Sequence, residues 1–318
     1  MKCLRDTLLL GCVLTSLGSA SSIAAPYSAS DILGGFNAVI YGNFSSNSDV
    51  EGQLAVGGNM NGGATFNINP SPTPAALSNF GAVNVVGNVA TGTYNVNNGG
   101  DVYVGGTTTA IFNLNGGGTL TNTSSFTLPD LSSSLNALSA QLTGLDPTGN
   151  FPTSATPGYP NNVPINATPD ADGIAVIDVT TSQLSSLASF QVNLNGASTV
   201  IFNVTGTSWS DTANFLNESS VNTAIIWNFI DATSLDFQRE FGGVVLAPLA
   251  DVTNNTPIEG VLVANNFAGG GELHSRPFTG RLPSAPDSPV PIPEPASFAL
   301  LGAGLFALGM IKRVCSAA

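Results

Sequence analysis

Charge is scarce in this chain of 318 residues: Asp, Glu, Lys and Arg make up 8% of it, where about 25% is usual. Its bases are Lys2, Arg5, Arg239, Arg276, Arg281, Lys312 and Arg313, so no basic side chain lies between Asp6 and Gln238. Nucleic-acid binding needs a basic stripe that displaces counterions from phosphates, and no such stripe exists here. Anionic membrane surfaces are equally poor partners for the region between the termini. Cysteine is confined to Cys3, Cys12 and Cys315, and the single histidine is His274. Residues 26–293 thus hold no Cys, no Lys and one His, which excludes Cys–His nucleophiles, Schiff-base lysines and sites built on several histidines. Disulfides are absent from that region too, so packing and backbone hydrogen bonds must hold it together.

Hydrophobic residues nevertheless reach 42%, with 36 Gly and 20 Pro, which is too apolar for a disordered chain. Asn, Thr, Ser, Gly and Val dominate in place of the usual helix formers, and this favours β structure with many tight turns. Short β-rich runs end in Gly-Gly or Gly-Asn: Val39 to Asn43, Leu54 to Asn59, Val83 to Asn88 and Asp101 to Gly106. Their marked glycines, Gly42, Gly57, Gly87 and Gly105, suggest one coil per motif, with the longer middle gap read as two coils. Gly243 to Pro248 and Gly260 to Asn265 repeat the pattern, with Ala224 to Asn228 one coil earlier. One short strand plus Gly and Asn turns at this period predicts an all-β, right-handed parallel β-solenoid, or β-helix. Each coil is expected to stack on the next in sequence, with apolar side chains inward, polar ones outward and positive φ at the corner glycines. A β-sandwich, whose hairpin turns would recur at a shorter spacing, is the alternative.

One segment departs from this pattern. Leu128, Leu131, Leu135, Leu138, Leu142 and Leu145 alternate spacings of three and four, which predicts an amphipathic helix over about 130–144 flanking the solenoid. Asp130 is placed to cap it and Gly144 to end it, and Ser132, Ser133, Asn136 and Ser139 are assigned to the polar face. Asp146 to Asp172, dense in Pro, Gly, Asn and Thr, reads as a surface excursion.

Both ends carry processing patterns. Lys2 and Arg5, the apolar run Leu8 to Leu17 and the small residues up to Ala24 form a secretory signal peptide over 1–24. Leu9 to Cys12 fits a lipoprotein box poorly, because the apolar run continues past Cys12. At the other end Pro293-Glu294-Pro295 precedes an apolar stretch, 298–311, and the pair Lys312-Arg313. That stretch spans about 21 Å as a helix, short of the roughly 30 Å hydrocarbon core. The order of these elements resembles the PEP-CTERM sorting signal of Gram-negative bacteria. The resemblance implies that Pro293, Glu294 and Pro295 are recognised by an exosortase-type processing enzyme. It further implies transient association of 298–311 with the inner membrane and delivery of the product to the cell surface or extracellular matrix. The exported domain is then 26–285, with 286–318 as linker and sorting signal. Over 26–293 eighteen acids face three arginines, a net charge of −15.

Asp31 to Phe44 and Ser48 to Asn59, together with Trp227 to Phe229, Gly243 to Ala247, Gly260 to Ala264 and Gly271 to Phe278, resemble the choice-of-anchor A domain over roughly 31–280. The resemblance implies a surface protein with an adhesive role. The order of coils, helix and coils is also similar to that of ice-binding solenoids.

Candidate chemistry is sparse. Glu272 and His274 stand at i and i+2, so on a strand they share a face and suit either a metal or each other; mutual hydrogen bonding in the last coil is the expected use. Asp49 and Glu51 share a face in the same way and have the residue types of a glycosidase acid–base pair, although a solvated edge is the simpler reading. Asp170-x-Asp172-Gly173 matches part of a calcium loop, but Val179 stands where the bidentate Glu belongs. No Gly-x-Ser-x-Gly elbow accompanies His274. The expectation is a non-enzymatic adhesive protein of the biofilm matrix, without cofactor, that binds extracellular polysaccharide or a cell-surface ligand through an uncharged solenoid face. Ice binding, through Thr91, Thr93, Thr107 to Thr109, Thr121 and Thr123, is the first alternative, and a polysaccharide-active β-helix enzyme the second.

Overall fold

The computed structural model describes residues 27–69, 75–152 and 161–284; the leader and 298–311 lie outside them. Within the repeated motif Gly and Asn perform different tasks. None of Gly42, Gly57, Gly87 and Gly105 has a positive φ, against the left-handed backbone expected of them at the corner. They are needed because the neighbouring rung touches them: a Cβ on Gly57 would fall 2.3 Å from the Tyr41 carbonyl oxygen, and one on Gly87 2.4 Å from that of Gly58. The asparagines form a ladder along the corner. Asn266 Oδ1 accepts from the Asn43 N–H at 2.7 Å, Asn43 Oδ1 from Asn59 at 2.9 Å, Asn59 Oδ1 from Asn88 at 2.8 Å, and Asn88 Oδ1 from Thr107 at 2.8 Å. Each side chain ties its own rung to the next.

The strands so stacked are parallel and form a parallel β-solenoid. The main sheet runs in the order Leu120–Asn122, Val102–Val104, Val83–Val85, Gln53–Val56, Phe36–Ile40, Ile258–Gly269, Phe241–Asn254, Ile225–Phe229, Thr199–Thr205, Ile174–Thr180 and Gly149–Asn150. This order corrects the expectation of a stack built in sequence. From Phe36–Ile40, in the middle of the stack, the chain winds out to Leu120–Asn122. It then returns along the outside to Gly149–Asn150 and winds back until Ile258–Gly269 lies beside Phe36–Ile40, with Ala38 opposite Leu262. Leu54 pairs directly with Val83, so the long middle gap is one coil with an inserted loop rather than two coils. A second side of the coil includes Ser208–Asp211, Ser234–Phe237, Phe44–Ser46 and Met60–Gly62. The third side has two three-stranded sheets: Val163–Asn166 with Ser189–Asn193 and Asn214–Phe215, and Thr65–Phe66 with Thr93–Val96 and Ile111–Leu114. Part of the expected surface excursion is therefore the terminal coil, where Phe151, Ile165 and Ala167 are buried.

The return path explains the helix. Leu131–Thr143 has Asp130 as N-cap, its carboxylate accepting from the Ser133 N–H at 2.9 Å, and ends at Gly144. Its length, about 20 Å, is the span of roughly four rungs at about 4.8 Å each. Leu131, Leu135, Leu138 and Leu142 are buried, with Leu128 and Leu145 packed at the margins. They cover an apolar outer surface of the main sheet that includes Val176, Ile201, Ile226, Val244, Leu246, Val261 and Val263. Strands there are buried on both sides, against the expected polar outer face, because the helix takes the place of water. Ser139, assigned to the polar face, is buried as well: its hydroxyl donates to Asn228 Oδ1 at 2.7 Å, while Asn228 Nδ2 donates to Asn203 Oδ1 at 2.9 Å and Asn203 Nδ2 to the Leu142 carbonyl at 2.8 Å. These bonds satisfy buried amides and fix the helix at one place on an otherwise featureless apolar surface.

Inside the coil aromatic rings stack between rungs, Phe202 on Trp227 at 4.0 Å and Tyr94 on Phe112 at 5.3 Å. The junction of the two half-stacks is closed by Leu273–Ser275, which pairs with Ile258–Gly269 on one side and bridges Val50 on the other. Asn37 completes it, donating to the carbonyls of Gly260 at 2.9 Å and His274 at 3.0 Å and accepting from the Gly52 N–H. The last strand of the domain thus supplies the side that the first coil lacks.

Candidate functional site

Two places in this frame collect polar side chains. At the junction His274 bonds through Nε2 to Glu272 at 2.6 Å and through Nδ1 to Glu259. Arg276 pairs with Glu259 at 3.1 Å and with Glu51 at 3.2 Å, and Glu51 also accepts from the Ser275 N–H at 2.9 Å. Burial pulls His274 down, but its bonds to Glu272 and Glu259 outweigh this, and its pKa lies above the ordinary histidine value. Burial, with Glu218 and Glu259 nearby, raises Glu240. Both imidazole nitrogens are engaged with carboxylates, and among the described residues no group of three or more His, Cys, Asp or Glu is arranged to hold a metal ion. Glu51 is held by Arg276 and by the Ser275 N–H. This cluster joins strands from opposite ends of the domain, Glu51 reaching Ser275 and Arg276, and its chemistry is that of a clasp.

Asp170 is likewise engaged locally. Its Oδ1 accepts from the N–H groups of Asp172 and Ile174, both at 2.9 Å, and Gly173 closes the turn with a φ of +79°. The Asp-x-Asp-Gly match to a calcium loop is a corner turn.

The second place is the outer surface of the sheet formed by Thr65–Phe66, Thr93–Val96 and Ile111–Leu114. Strand alternation turns Phe66, Tyr94, Phe112 and Val96 toward the core and presents Thr93, Asn95, Ile111 and Asn113 outward. Adjacent rungs are linked side chain to side chain: Asn113 donates to Asn95 at 2.9 Å, Asn115 to Asn97 at 2.9 Å, and the Thr91 and Thr109 hydroxyls lie 2.7 Å apart. Groups repeat about every 4.8 Å across the strands and about 6.6 Å along them. Asp101 is the one charged residue between Glu51 and Asp130, so this surface is neutral in a domain that is otherwise strongly acidic. Of the threonines singled out by sequence, Thr91, Thr93 and Thr109 belong here. Thr108 bridges Val89 and Thr121 pairs with Tyr103 in the main sheet, so they occupy other sides. The asparagine ladder was missed, although Asn113 and Asn115 repeat Asn95 and Asn97 at one constant offset in the sequence.

The architecture is a parallel β-solenoid with a neutral ladder face, a flanking helix and a clasped junction. Comparison with known families gives the group: the model described as "Putative Ice-binding-like adhesive domain" matches residues 29–275, and the chain belongs to that family. The PEP-CTERM protein-sorting motif matches residues 291–313, which contain Pro293, Glu294 and Pro295 and lie outside the described residues. Together they make this an exported, surface-sorted protein with an adhesive-type domain, handled by exosortase-type machinery. No curated protein and no solved structure matches the chain.

Proposed function

We propose that the domain is a non-enzymatic adhesin whose neutral ladder face binds hydroxyl-rich polymer, either extracellular polysaccharide or the glycans of another cell. The observation that carries this is the regular, uncharged array of Asn and Thr around Asn95, Asn97, Asn113 and Asn115. Donors and acceptors at a fixed repeat suit many weak contacts along a repeating chain, where avidity arises from number. The resemblance to choice-of-anchor A domains supports the same role, and the sorting signal supplies the location, with tail removal releasing the domain to the surface or biofilm matrix. A sedimentation assay of the full chain with polysaccharide from the host's own matrix tests the reading. Asn95→Lys with Asn113→Lys is expected to reduce retention about tenfold or more, as several repeated contacts are lost together. Equal retention of that variant sinks the proposal. Thermal hysteresis of the purified protein would instead establish ice binding, and release of reducing ends from the polymer would establish an enzyme.

A further inference from the structure

At the corner between the ladder face and the main sheet lies a cavity of about 270 Å³ lined by Gln53, Asn67, Phe80, Asn98 and Asp101 and by the backbone of Gly81, Gly99 and Gly100. Its hydrogen-bonding capacity is one-sided. Gln53 Nε2 donates to the carbonyls of Phe80 at 3.1 Å and Gly81 at 2.9 Å. Asn98 Nδ2 donates to those of Asn67 at 2.7 Å and Ile68 at 3.1 Å, and Asn67 Nδ2 to that of Asn97 at 2.7 Å. The N–H groups of Gly81, Gly99 and Gly100 are engaged by Asn84 Oδ1, the Asn115 carbonyl and the Asn97 carbonyl. The oxygens are not matched in this way. Gln53 Oε1 has no hydrogen-bond partner among the described residues, but it is closed off from solvent and stays a structural part of the wall. Asp101 accepts from Thr119 through Oδ1, and its Oδ2 has no hydrogen-bond partner among the described residues. The donors of this wall are thus spent on the protein itself, and a ligand that brings its own donors is the kind it suits.

We infer that this cavity is a binding site for a single non-acidic sugar ring, whose hydroxyls donate to Asn98 and Asp101 while a ring face rests near Phe80. The wall offers acceptors and one carboxylate with no basic group, so it rejects anionic ligands and favours neutral or amino sugars. Its volume lies just below the roughly 300–1,000 Å³ of sites for drug-sized ligands, which suits one ring rather than a chain. The site deepens the adhesive reading and rests on it only for the source of the sugar: a polymer lying on the ladder face can seat one residue here.

Saturation-transfer-difference NMR on the full chain, with glucose, galactose, N-acetylglucosamine, glucosamine and glucuronate as probes, tests it. Saturation of at least one neutral or amino sugar and none of glucuronate is expected. Asn98→Gly keeps the left-handed backbone that Asn98 adopts at φ +55° and should weaken binding about fivefold, the loss of about one hydrogen bond. Asp101→Asn keeps the Oδ1 contact with Thr119 and should abolish any preference for glucosamine over glucose. Saturation of no sugar, saturation of glucuronate, or binding indifferent to both variants overturns the inference. Sugar binding that survives Asn95→Lys with Asn113→Lys, in a variant that has lost polymer retention, leaves the pocket standing and separates it from the ladder face.

Discussion

Asp211 is fully buried on the second side of the coil, with Oδ1 accepting from the Ala213 N–H at 3.1 Å and Oδ2 without a partner among the described residues. Burial pushes its pKa up to about 8, against weaker downward pulls from the Ala213 N–H and Arg239. Between about pH 4 and 8 the folded protein holds a proton that the unfolded chain has released, so stability must fall as pH rises through that window. Denaturant midpoints should decrease from pH 5 to pH 8.5 in the native protein and decrease less in Asp211→Asn; a rising midpoint would contradict the buried neutral acid. His274 acts in the same direction: with its folded pKa raised, its contribution is complete below the unfolded value near 6.5 and is lost as pH rises through the folded one. The Glu272–His274 pair was legible because the partners are two residues apart on a strand. Glu259, Arg276 and Glu51 were not, since nothing in a sequence pattern links charges so distant along the chain.

Among the elements, the long helix was the most legible, because leucines at three and four residue spacings have one common face whatever they pack against. What the spacing did not reveal was the target. Ser139 is polar and lies close to the leucine stripe, and only the Asn203–Asn228 pair beneath it makes burial favourable. Leu135 is completely buried at the centre of this contact, so Leu135→Ala should cost about 2–5 kcal/mol in denaturant unfolding. A loss below about 1 kcal/mol would mean that the helix is not part of the cooperative core. The repeated Gly-Asn pairs were also visible, but their roles became apparent only with the adjacent rung in place: close backbone approach for Gly, a hydrogen bond across rungs for Asn.

For the molecule as a whole, the stack order places the first and last of the described coils at its centre and two mid-chain coils at its ends. Opening free energies should follow position in the stack rather than position in the sequence. In hydrogen exchange, Phe36–Ile40 and the paired part of Ile258–Gly269 are expected to exchange last, and Leu120–Asn122, whose residues are all exposed, among the first. Leu273→Asp, which places a charge in the closing strand, should accelerate exchange on both sides of the junction together. Acceleration on one side alone would show that the two half-stacks unfold independently.

Local patterns of residue types were enough to establish a repeating β-coil, a leucine-faced helix, a domain nearly free of positive charge and a sorting tail, since each of these is written within a short stretch of chain. Which coil lies on which was settled in three dimensions alone. Every rung offers the same parallel backbone edge and similar Gly-Asn corners, so local pattern cannot distinguish one neighbour from another. The choice is made by contacts that exist once: the register of Ala38 with Leu262, the Asn37 bridge, and the clasp of His274 and Arg276 on Glu51 and Glu259.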